Sequence, residues 1–352
     1  MKFVRATKAD AAALSAFWNR FAEKEIVHKM LSEADFEKLF IEDNETTTKV
    51  NLMAMDGEKL IGFANGCYVA NKTFGYITMV IVDPEYRRQK IGTRLLVLLE
   101  ESLQGIAPMP LEYYDVIFFN PINMEWCVPG TPRHDHPNAP GVDMGSEGFI
   151  WIKNCGYRSR TYENSFYQPI QSFAYSDAIL AKMEQQKAQD LGMEFYDPAK
   201  HYDIEGLMED LGSDDWKMHI FGNLKKEKPD PILIAYSAKK EDLDEQGRAK
   251  VIGFTGPLRV QESGRGFFAG IGVHSGYRKY GLGKVLFSGL CSSLKEMGAQ
   301  YMTLFTGEEN PARNIYESAG FKIVRSWSVM RREVKQNDQY NRTAAKKMLT
   351  EK

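Results

Sequence analysis

The stretch 267–286, FFAGIGVHSGYRKYGLGKVL, joins an apolar segment to a basic, glycine-rich turn and then to the start of a helix. The apolar run from Phe267 to Val273 predicts a buried strand. After the turn, leucines recur at spacings of three and four, which predicts a helix with one buried face. The free N–H groups and the dipole at a helix N-terminus favour an anion, and glycines allow a ligand to approach the backbone closely. The stretch therefore predicts an anion-binding turn.

A second copy of this pattern lies in the N-terminal half of the chain. Residues 75–83, GYITMVIVD, predict an apolar strand, and PEYRRQKIGTRLLVLLEESL follows it. Arg87 takes the place of Arg278, and Gly92 takes the place of Gly283. The interval from the phenylalanine of the first predicted strand to this arginine is 84 residues in the first copy and 83 in the second. The spacing predicts an internal duplication.

The spacing Arg278-x-x-Gly281-x-Gly283 resembles the acetyl-CoA pyrophosphate-binding motif of the GNAT N-acetyltransferase family. It is neither a Walker A loop nor the dinucleotide fingerprint GxGxxG. The segment 310–321, NPARNIYESAGF, resembles the last conserved segment of that family. The resemblance implies an α/β (α+β) fold with two GNAT-type domains in tandem, a layout similar to that of mycothiol synthase. Each domain would be a mixed, largely antiparallel twisted sheet flanked by helices.

Domain boundaries follow from the repeat and from shifts in composition. We expect an N-terminal GNAT-like domain at 1–170, with a proline- and glycine-rich loop insertion at 120–147. An Ala/Gln-rich linker helix is expected at 171–191 and a C-terminal GNAT domain at 192–335. The Lys-rich residues 336–352 are expected to form a polar tail.

The family resemblance also implies acetyl-CoA as the cosubstrate and indicates which residues hold it. In the C-terminal domain the implied residues are Ile271, Gly272, Val273, Arg278, Lys279, Tyr280, Gly281, Leu282, Gly283, Lys284 and Asn310. A second, weaker site in the N-terminal domain would use Val82, Arg87, Arg88, Gly92 and Thr93.

The two copies differ at positions that matter for catalysis. Tyr316 lies where the family places a general acid for the departing thiolate. The N-terminal copy has Ile152 at the same place, and a side chain without an O–H group cannot donate a proton. That copy also has Lys90 where the other has Gly281, which adds a Cβ where phosphates need close approach to the backbone. The sequence therefore predicts that the C-terminal domain catalyses and that the N-terminal domain is degenerate.

The general base is less well defined by the sequence. The strand FFAGIGV contains no glutamate, and His274 follows it directly. Asp214 and Asp215, in the loop LGSDDW, either face the acceptor or belong to a charged surface turn. If they line the cleft, they would attract a cationic amine. His274 and Asp214 are both retained as candidate catalytic residues.

The insertion at 120–147 contains the motif His134-Asp135-His136. Imidazole and carboxylate groups bind metals, but two histidines separated by one residue and without a third nearby ligand are more typical of a hydrogen-bonded loop. We expect no metal. A long loop of this kind can also cover a ligand pocket in the N-terminal domain or across the domain interface.

Composition limits the function further. The formal net charge of the 352 residues is −2, which argues against nucleic-acid binding. No apolar run is long enough to span a bilayer, the N-terminus lacks a signal-peptide pattern, and the four cysteines form no CxxC pair. We expect a cytoplasmic acetyl-CoA-dependent N-acetyltransferase that acts on a small-molecule or peptide amine, without nucleic-acid or membrane partners and in an oligomeric state that the sequence leaves open. The alternative is a CoA- or ligand-binding regulatory module without turnover.

Overall fold

The computed structural model describes residues 1–22, 28–117 and 120–334. The predicted tail at 336–352 lies outside the described residues. Contacts divide the chain into unit 1, which is Met1–Asn164 together with Arg325–Lys352, and unit 2, which is Ser165–Val324. Each unit has a mixed, largely antiparallel sheet with helices packed on it, as the fold class predicted from the sequence requires.

Unit 1 is built on a sheet in which β1 to β5 are adjacent in chain order and β17 (Lys322–Glu333) lies next to β5. Its long hairpin, β2–β3, turns at Asp56-Gly57, where Gly57 has the left-handed φ of +59° that such a turn requires. The elements of this unit are β1 (Lys2–Arg5), α1 (Ala11–Ala22), α2 (Glu33–Phe36), β2 (Thr47–Asp56), β3 (Lys59–Val69), β4 (Phe74–Val82), α3 (Ile91–Ile106), β5 (Tyr113–Val116), β6 (Trp126–Cys127), β7 (Asp135–His136), β8 (Val142–Asp143), α4 (Glu147–Asn154) and the first part of β9 (Arg158–Pro169).

Helix α3 packs on one face of this sheet, and α1 and α2 pack on the other. The leucine spacing that predicted α3 is confirmed, because Leu95, Leu96, Leu99 and Leu103 are all buried. Strands β4 and β5 are parallel and pair only from Phe74–Tyr76 to Tyr113–Asp115. Beyond that point β4 continues to Val82 without β5 beside it, so the sheet opens between the two strands.

Unit 2 repeats this arrangement, with β10, β12, β13 and β15 adjacent and antiparallel. Short β11 pairs in parallel with β13, and β14 pairs in parallel with β16. The elements are the rest of β9, α5 (Asp177–Lys187), β10 (Leu191–Phe195), β11 (His201–Tyr202), α6 (Ile204–Leu211), α7 (Asp214–Leu224), β12 (Leu233–Ser237), β13 (Ala249–Thr255), β14 (Arg265–Gly266), β15 (Ile271–Val273), α8 (Leu282–Glu296), β16 (Tyr301–Gly307), α9 (Arg313–Ser318) and β17 (Lys322–Glu333), of which Arg325–Glu333 belongs to unit 1.

The strand expected over 267–273 is shorter in the structure. Only Ile271–Val273 pairs with β13, because β13 ends at Thr255, opposite Ile271. The Thr255 hydroxyl donates a hydrogen bond to the Gly270 carbonyl at 3.0 Å, in place of a ladder bond. Phe268 packs instead against aromatic side chains of unit 2.

The last strand also differs from the boundaries expected from the sequence, which assigned it to the C-terminal domain. Residues Met330–Glu333 pair with Val116–Tyr113 of β5, so the end of the described chain completes the sheet of unit 1. The predicted linker, 171–191, contains α5, which packs on α8 within unit 2. Among the described helices, none has the length and apolar character needed to cross a membrane.

Candidate active site

A cavity of about 770 Å³ lies in unit 1, at the opening between β4 and β5. Residues Ile77–Val82 of β4 form one side, and Val116, the last residue of β5, lies across from them. The turn after β4 and the first residues of α3 close one end. The cavity thus joins an apolar channel to the predicted anion-binding turn of the N-terminal copy.

The cavity contacts the packed layers on both faces of the sheet. Its α3-side wall is defined here as Val80, Val82, Ile91, Trp151 and Ile152, which belong to or pack on the α3 cluster. Its α1-side wall is defined as Phe21, His28, Met79, Ile81 and Met124. The apolar members of that wall pack in the cluster around α1, and the ring of His28 contacts that of Trp18 of the same cluster at an interplanar angle of 42°. A ligand on one face of the sheet can therefore meet a ligand from the other face inside this opening.

Strand β4 has a bulge where it borders the cavity. Asn65 pairs with Met79 and Gly66 pairs with Ile77, so Thr78 has no partner in the ladder. The Asn120 side-chain amide donates a hydrogen bond to the Thr78 hydroxyl at 2.9 Å. A bulge frees backbone groups from the ladder and redirects them, which gives this strand polar groups beside the cavity.

The turn of unit 1 keeps the backbone form of the motif despite its lysine. Lys90 precedes α3 with a left-handed φ of +62°, and Gly281 precedes α8 with a φ of +72°. Arg87 Nε donates a hydrogen bond to the Val82 carbonyl at 3.0 Å. The replacement of glycine by lysine therefore changes the side chain at this position but not the path of the backbone.

Unit 2 shows the same local relations, which supports the equivalence of the two copies. Arg278 Nε donates to the Val273 carbonyl at 3.3 Å, as Arg87 does to Val82. A Cβ at Gly283 would lie 3.1 Å from Ile315, and a Cβ at Gly92 would lie 3.5 Å from Trp151. Ile315 and Trp151 each precede the final glycine of their copy by five residues.

The basic turn of unit 2 lies against helix α5. A Cβ at Gly281 would lie 2.8 Å from Lys182 Cε, and the Gln186 amide donates to the Tyr280 carbonyl at 3.1 Å. Lys239 Nζ is 3.1 Å from the Tyr280 hydroxyl. Lys182 and Lys239 thus add positive charge to this turn. The motif gave no signal for either residue, because both are remote from it in sequence.

Tyr316 is 5% exposed and lies in an aromatic cluster. Its ring centroid is 4.9 Å from that of Phe287, 5.8 Å from Phe166 and 6.0 Å from Phe268. Burial raises the pKa of Tyr316 to about 12, so its hydroxyl keeps its proton at neutral pH. Ile152, at the equivalent place in unit 1, forms part of the cavity wall.

The candidate base His274 has a capping role in the structure. Its Nδ1 accepts a hydrogen bond from the Gly276 N–H at 3.1 Å. Asp83 of unit 1 does the same, since its carboxylate accepts from the Glu85 N–H at 3.1 Å. The Nδ1 lone pair of His274 is therefore occupied by the backbone of its own turn.

Other candidates from the sequence lie at helix starts. Asp214 and Asp215 are exposed in the first turn of α7, where carboxylates interact favourably with the helix dipole. Asn310 Oδ1 accepts from the Ala312 N–H at 3.0 Å in the turn before α9. These contacts give each residue a local structural role beside its predicted one.

The 120–147 insertion forms short strands and part of the cavity. Asp135 is ion-paired with Lys29 at 3.1 Å, and His136 stacks on the buried Trp126 at a centroid distance of 4.8 Å. Within the described residues, no group of three or more His, Cys, Asp or Glu side chains is placed to hold a metal. The insertion residues that line the cavity are Met124, Ala139, Gly141, Val142, Asp143, Ser146 and Glu147.

His28 and Trp151 are cavity residues that the motifs did not indicate. The repeat contained a signal for Trp151, because it is aligned with Ile315 ahead of the final glycine. His28 had none, since a single histidine far from any motif is unremarkable in sequence.

Unit 1 thus combines a sheet that opens between the parallel strands β4 and β5 with a basic turn at the N-terminus of α3. The family model described as "Acetyltransferase (GNAT) family" matches residues 13–106 and 200–321, which together exceed half of the chain. The chain belongs to this family, and the match to each half confirms the tandem layout. A search of curated proteins found no match.

Solved structures share the fold over almost the whole chain. A tandem GNAT protein from the clavulanic acid biosynthesis pathway has a TM-score of 0.57 at 12% identity, covering 96% of this chain and 99% of the other. A GCN5-related N-acetyltransferase from Sphaerobacter thermophilus has a TM-score of 0.58 at 15% identity, with coverages of 94% and 95%. A fungal multi-domain GH3 β-N-acetylglucosaminidase with a glucosamine N-acetyltransferase region has a TM-score of 0.62 at 17% identity. That match covers 94% of this chain but only 38% of the fungal chain.

Proposed function

We propose that this protein transfers the acetyl group of acetyl-CoA directly to an amine of a small molecule or peptide. The observation that carries the proposal is the cavity of unit 1, which connects a basic turn to an opening between two strands. A long ligand with phosphates at one end and an apolar arm fits this combination of groups. Family membership supports acyl transfer in general.

The residues of unit 1 have distinct tasks in this proposal. The first N–H groups of α3 and the side chains of Arg87, Arg88 and Lys90 bind the pyrophosphate. The α3-side wall excludes water from the pantetheine arm, and the backbone at the Thr78 bulge orients the thioester carbonyl. Acetyl-CoA supplies the activated acyl group. Most of the rate gain would come from holding the two reactants together, without a covalent enzyme intermediate.

The C-terminal unit, which the sequence predicted to be the catalytic one, is the second candidate location for transfer. Tyr316 favours it, because its hydroxyl can donate a proton to the departing thiolate, whereas Ile152 at the equivalent place in unit 1 has no O–H group. The basic cluster of Lys182, Lys239, Lys279 and Lys284 around its turn also favours binding of phosphates there. In unit 1 a proton for the thiolate would have to come from a group other than residue 152.

One pair of matched variants distinguishes the two locations. Glutamate at Gly92 or Gly283 puts a negative charge at the helix N-terminus that would meet the pyrophosphate, while glutamate is a better helix former than glycine. Calorimetry counts the acetyl-CoA sites of each full-length variant, and thiol release with a panel of amines measures turnover. Loss of turnover only in Gly92→Glu places transfer in unit 1, and loss only in Gly283→Glu places it in unit 2.

The regulatory alternative gives a different result in the same experiment. A CoA- or ligand-binding module would bind acetyl-CoA in the calorimeter but release no thiol with any amine of the panel. Tyr316→Phe adds a test of the second location, with Tyr162→Phe as its control because Tyr162 is exposed in unit 1. If Tyr316→Phe retains full turnover, Tyr316 is not the general acid.

A further inference from the structure

Asn120 joins three parts of unit 1 through one side chain. It follows β5 in the chain, and its Oδ1 accepts the Ile122 N–H at 3.0 Å. A backbone N–H can only donate, so the oxygen lies on this side of the amide and the NH2 group on the other. That NH2 group donates to the Thr78 hydroxyl in β4 at 2.9 Å, and the Cys67 thiol in β3 donates to Oδ1 at 3.6 Å. The side chain of Asn120 thus connects β3, β4 and the chain beyond β5.

Thr78 is the residue of β4 that lies outside the pairing of the sheet. The pairing with β3 passes from Met79 to Ile77, and the pairing with β5 ends at Tyr76. Thr78 therefore has a partner in neither register, and it is 8% exposed and lines the cavity. A bulged residue is left unpaired in the ladder, so contacts of its side chain help to fix its orientation. The bond from the Asn120 amide is such a contact.

Asn120 and Asn310 are equivalent residues of the two copies. Each follows a strand, β5 or β16, and precedes a proline. The N–H of Asn120 donates to the Ile117 carbonyl at 3.2 Å, and that of Asn310 donates to the Gly307 carbonyl at 3.0 Å. Each Oδ1 accepts the N–H of the residue two positions later at 3.0 Å. The two copies thus share this turn, but Asn310 is exposed, whereas the amide of Asn120 bonds to the bulge of β4.

The corresponding strand of unit 2 is held in a different way. The irregular stretch before β15 receives a hydrogen bond from β13, the adjacent strand of the sheet, because the Thr255 hydroxyl donates to the Gly270 carbonyl at 3.0 Å. In unit 1 the donor to the irregular strand comes from the chain beyond β5. Thr78 and Thr255 therefore form a matched pair of threonines, one for each irregular strand.

We propose that Asn120 is a positioning residue for acyl transfer in unit 1. Its amide holds Thr78, and with it the bulged backbone of β4, in the orientation that meets the thioester carbonyl. The inference rests on the proposed function, in which this backbone orients the thioester. The basic turn and the α3-side wall bind the rest of acetyl-CoA, so loss of the Asn120 bond should lower kcat and leave the affinity for acetyl-CoA unchanged.

The first test measures turnover and binding in the full-length protein. Thiol release from acetyl-CoA is followed with the amine that the native protein acetylates fastest, and calorimetry gives the Kd of acetyl-CoA. We expect Asn120→Leu and Thr78→Val each to lower kcat about tenfold or more, since small misplacements of reacting groups have effects of this size. The double variant should lose little more than either single one, because both changes remove the same bond. Thr78→Ser keeps the hydroxyl and should recover most of kcat.

A second test reads the thioester itself and needs no acceptor. The infrared spectrum of bound acetyl-CoA with a ¹³C-labelled carbonyl reports hydrogen bonding to that carbonyl, which lowers its stretching frequency. We expect the band of the native complex to lie below that of free acetyl-CoA and to move back towards it in Asn120→Leu and Thr78→Val. An unshifted band in the native complex, or a band that neither substitution moves, would overturn the inference.

Two controls separate positioning from loss of stability. Thr255→Val makes the matched change in unit 2 and should keep kcat. Asn223→Leu also removes a buried asparagine, whose amide donates to the Asp230 carbonyl at 2.8 Å, and should lower the midpoint of thermal unfolding without lowering kcat. If Asn120→Leu does not fold, Thr78→Val tests the same bond with a smaller change.

Three results in the turnover assay would contradict the role of Asn120. A weaker affinity for acetyl-CoA at unchanged kcat would make Asn120 a cofactor contact. Loss of kcat in Asn120→Leu but not in Thr78→Val would show that Asn120 does not act through the bulge, and loss only in Thr255→Val would place transfer in unit 2. Absence of thiol release with every amine would instead refute the proposed function, and the infrared comparison would still decide whether Asn120 orients the thioester.

Discussion

Arg331 and Asp115 form a bidentate ion pair. Arg331 Nε lies 2.6 Å from Asp115 Oδ1, and a terminal guanidinium nitrogen lies 2.8 Å from Oδ2. Arg331 lies in the last strand of the described chain and Asp115 lies in β5, more than two hundred residues earlier. Arg332 pairs with the buried Glu100 of α3, and Arg325 pairs with Asp143. Three arginines of β17 thus hold this strand in unit 1.

Removing one partner of the Arg331–Asp115 pair should destabilise the protein. Arg331→Met leaves the Asp115 carboxylate, 2% exposed, without its bidentate partner, and an uncompensated buried charge costs about 3 kcal/mol or more. Urea unfolding measures the change in free energy. The matched control is Arg313→Met, whose exposed i,i+4 pair with Glu317 should contribute less than about 1 kcal/mol. Equal effects of the two substitutions would show that the pair does not hold the strand.

A fragment of residues 1–170 should not fold cooperatively on its own. It lacks Arg325–Glu333, so β5 loses the partner strand that it has in the full chain, and the Glu100 and Asp115 carboxylates lose their arginines. Circular dichroism during urea titration gives the measurement, with the full chain as control. A sharp unfolding transition in the fragment would contradict the assignment of β17 to unit 1.

The pairing of β17 with β5 illustrates which parts of the structure the sequence could predict and which it could not. The turns after β4 and β15 and the helices α3 and α8 follow from local apolar periodicity and turn residues, and these elements are confirmed. The partner of β17 is set by pairing across more than two hundred residues, which no local pattern encodes. The burial of His28 and its contact with the Trp18 carbonyl likewise depend on tertiary packing that no local pattern encodes.

The bulge in β4 should depend on glycine at residue 66. A Cβ at Gly66 would lie 2.6 Å from the Tyr76 carbonyl oxygen, which is backbone and cannot move independently of the strand. We expect Gly66→Ala to destabilise the protein by about 2 kcal/mol, a typical cost of overpacking, and to lower turnover if the bulge orients the thioester. Gly105→Ala in α3 is the control, because nothing lies within 4 Å of its Cβ and alanine favours a helix. If both substitutions leave the unfolding midpoint unchanged, β4 accommodates the side chain.

His28 should make stability depend on pH between about 4 and 6.5. Burial lowers its pKa from 6.5 to about 4 in the folded protein, so in this window the unfolded chain binds a proton that the folded chain does not. Stability therefore rises with pH across the window and is lost as pH falls, by up to about 3 kcal/mol for a shift of this size. Urea unfolding of the native protein and of His28→Phe at several pH values isolates this contribution, because other groups titrate in both. The exposed His219→Phe serves as the control and should retain the native slope. Parallel pH profiles of the native protein and His28→Phe would show that the pKa of His28 is not lowered in the folded protein.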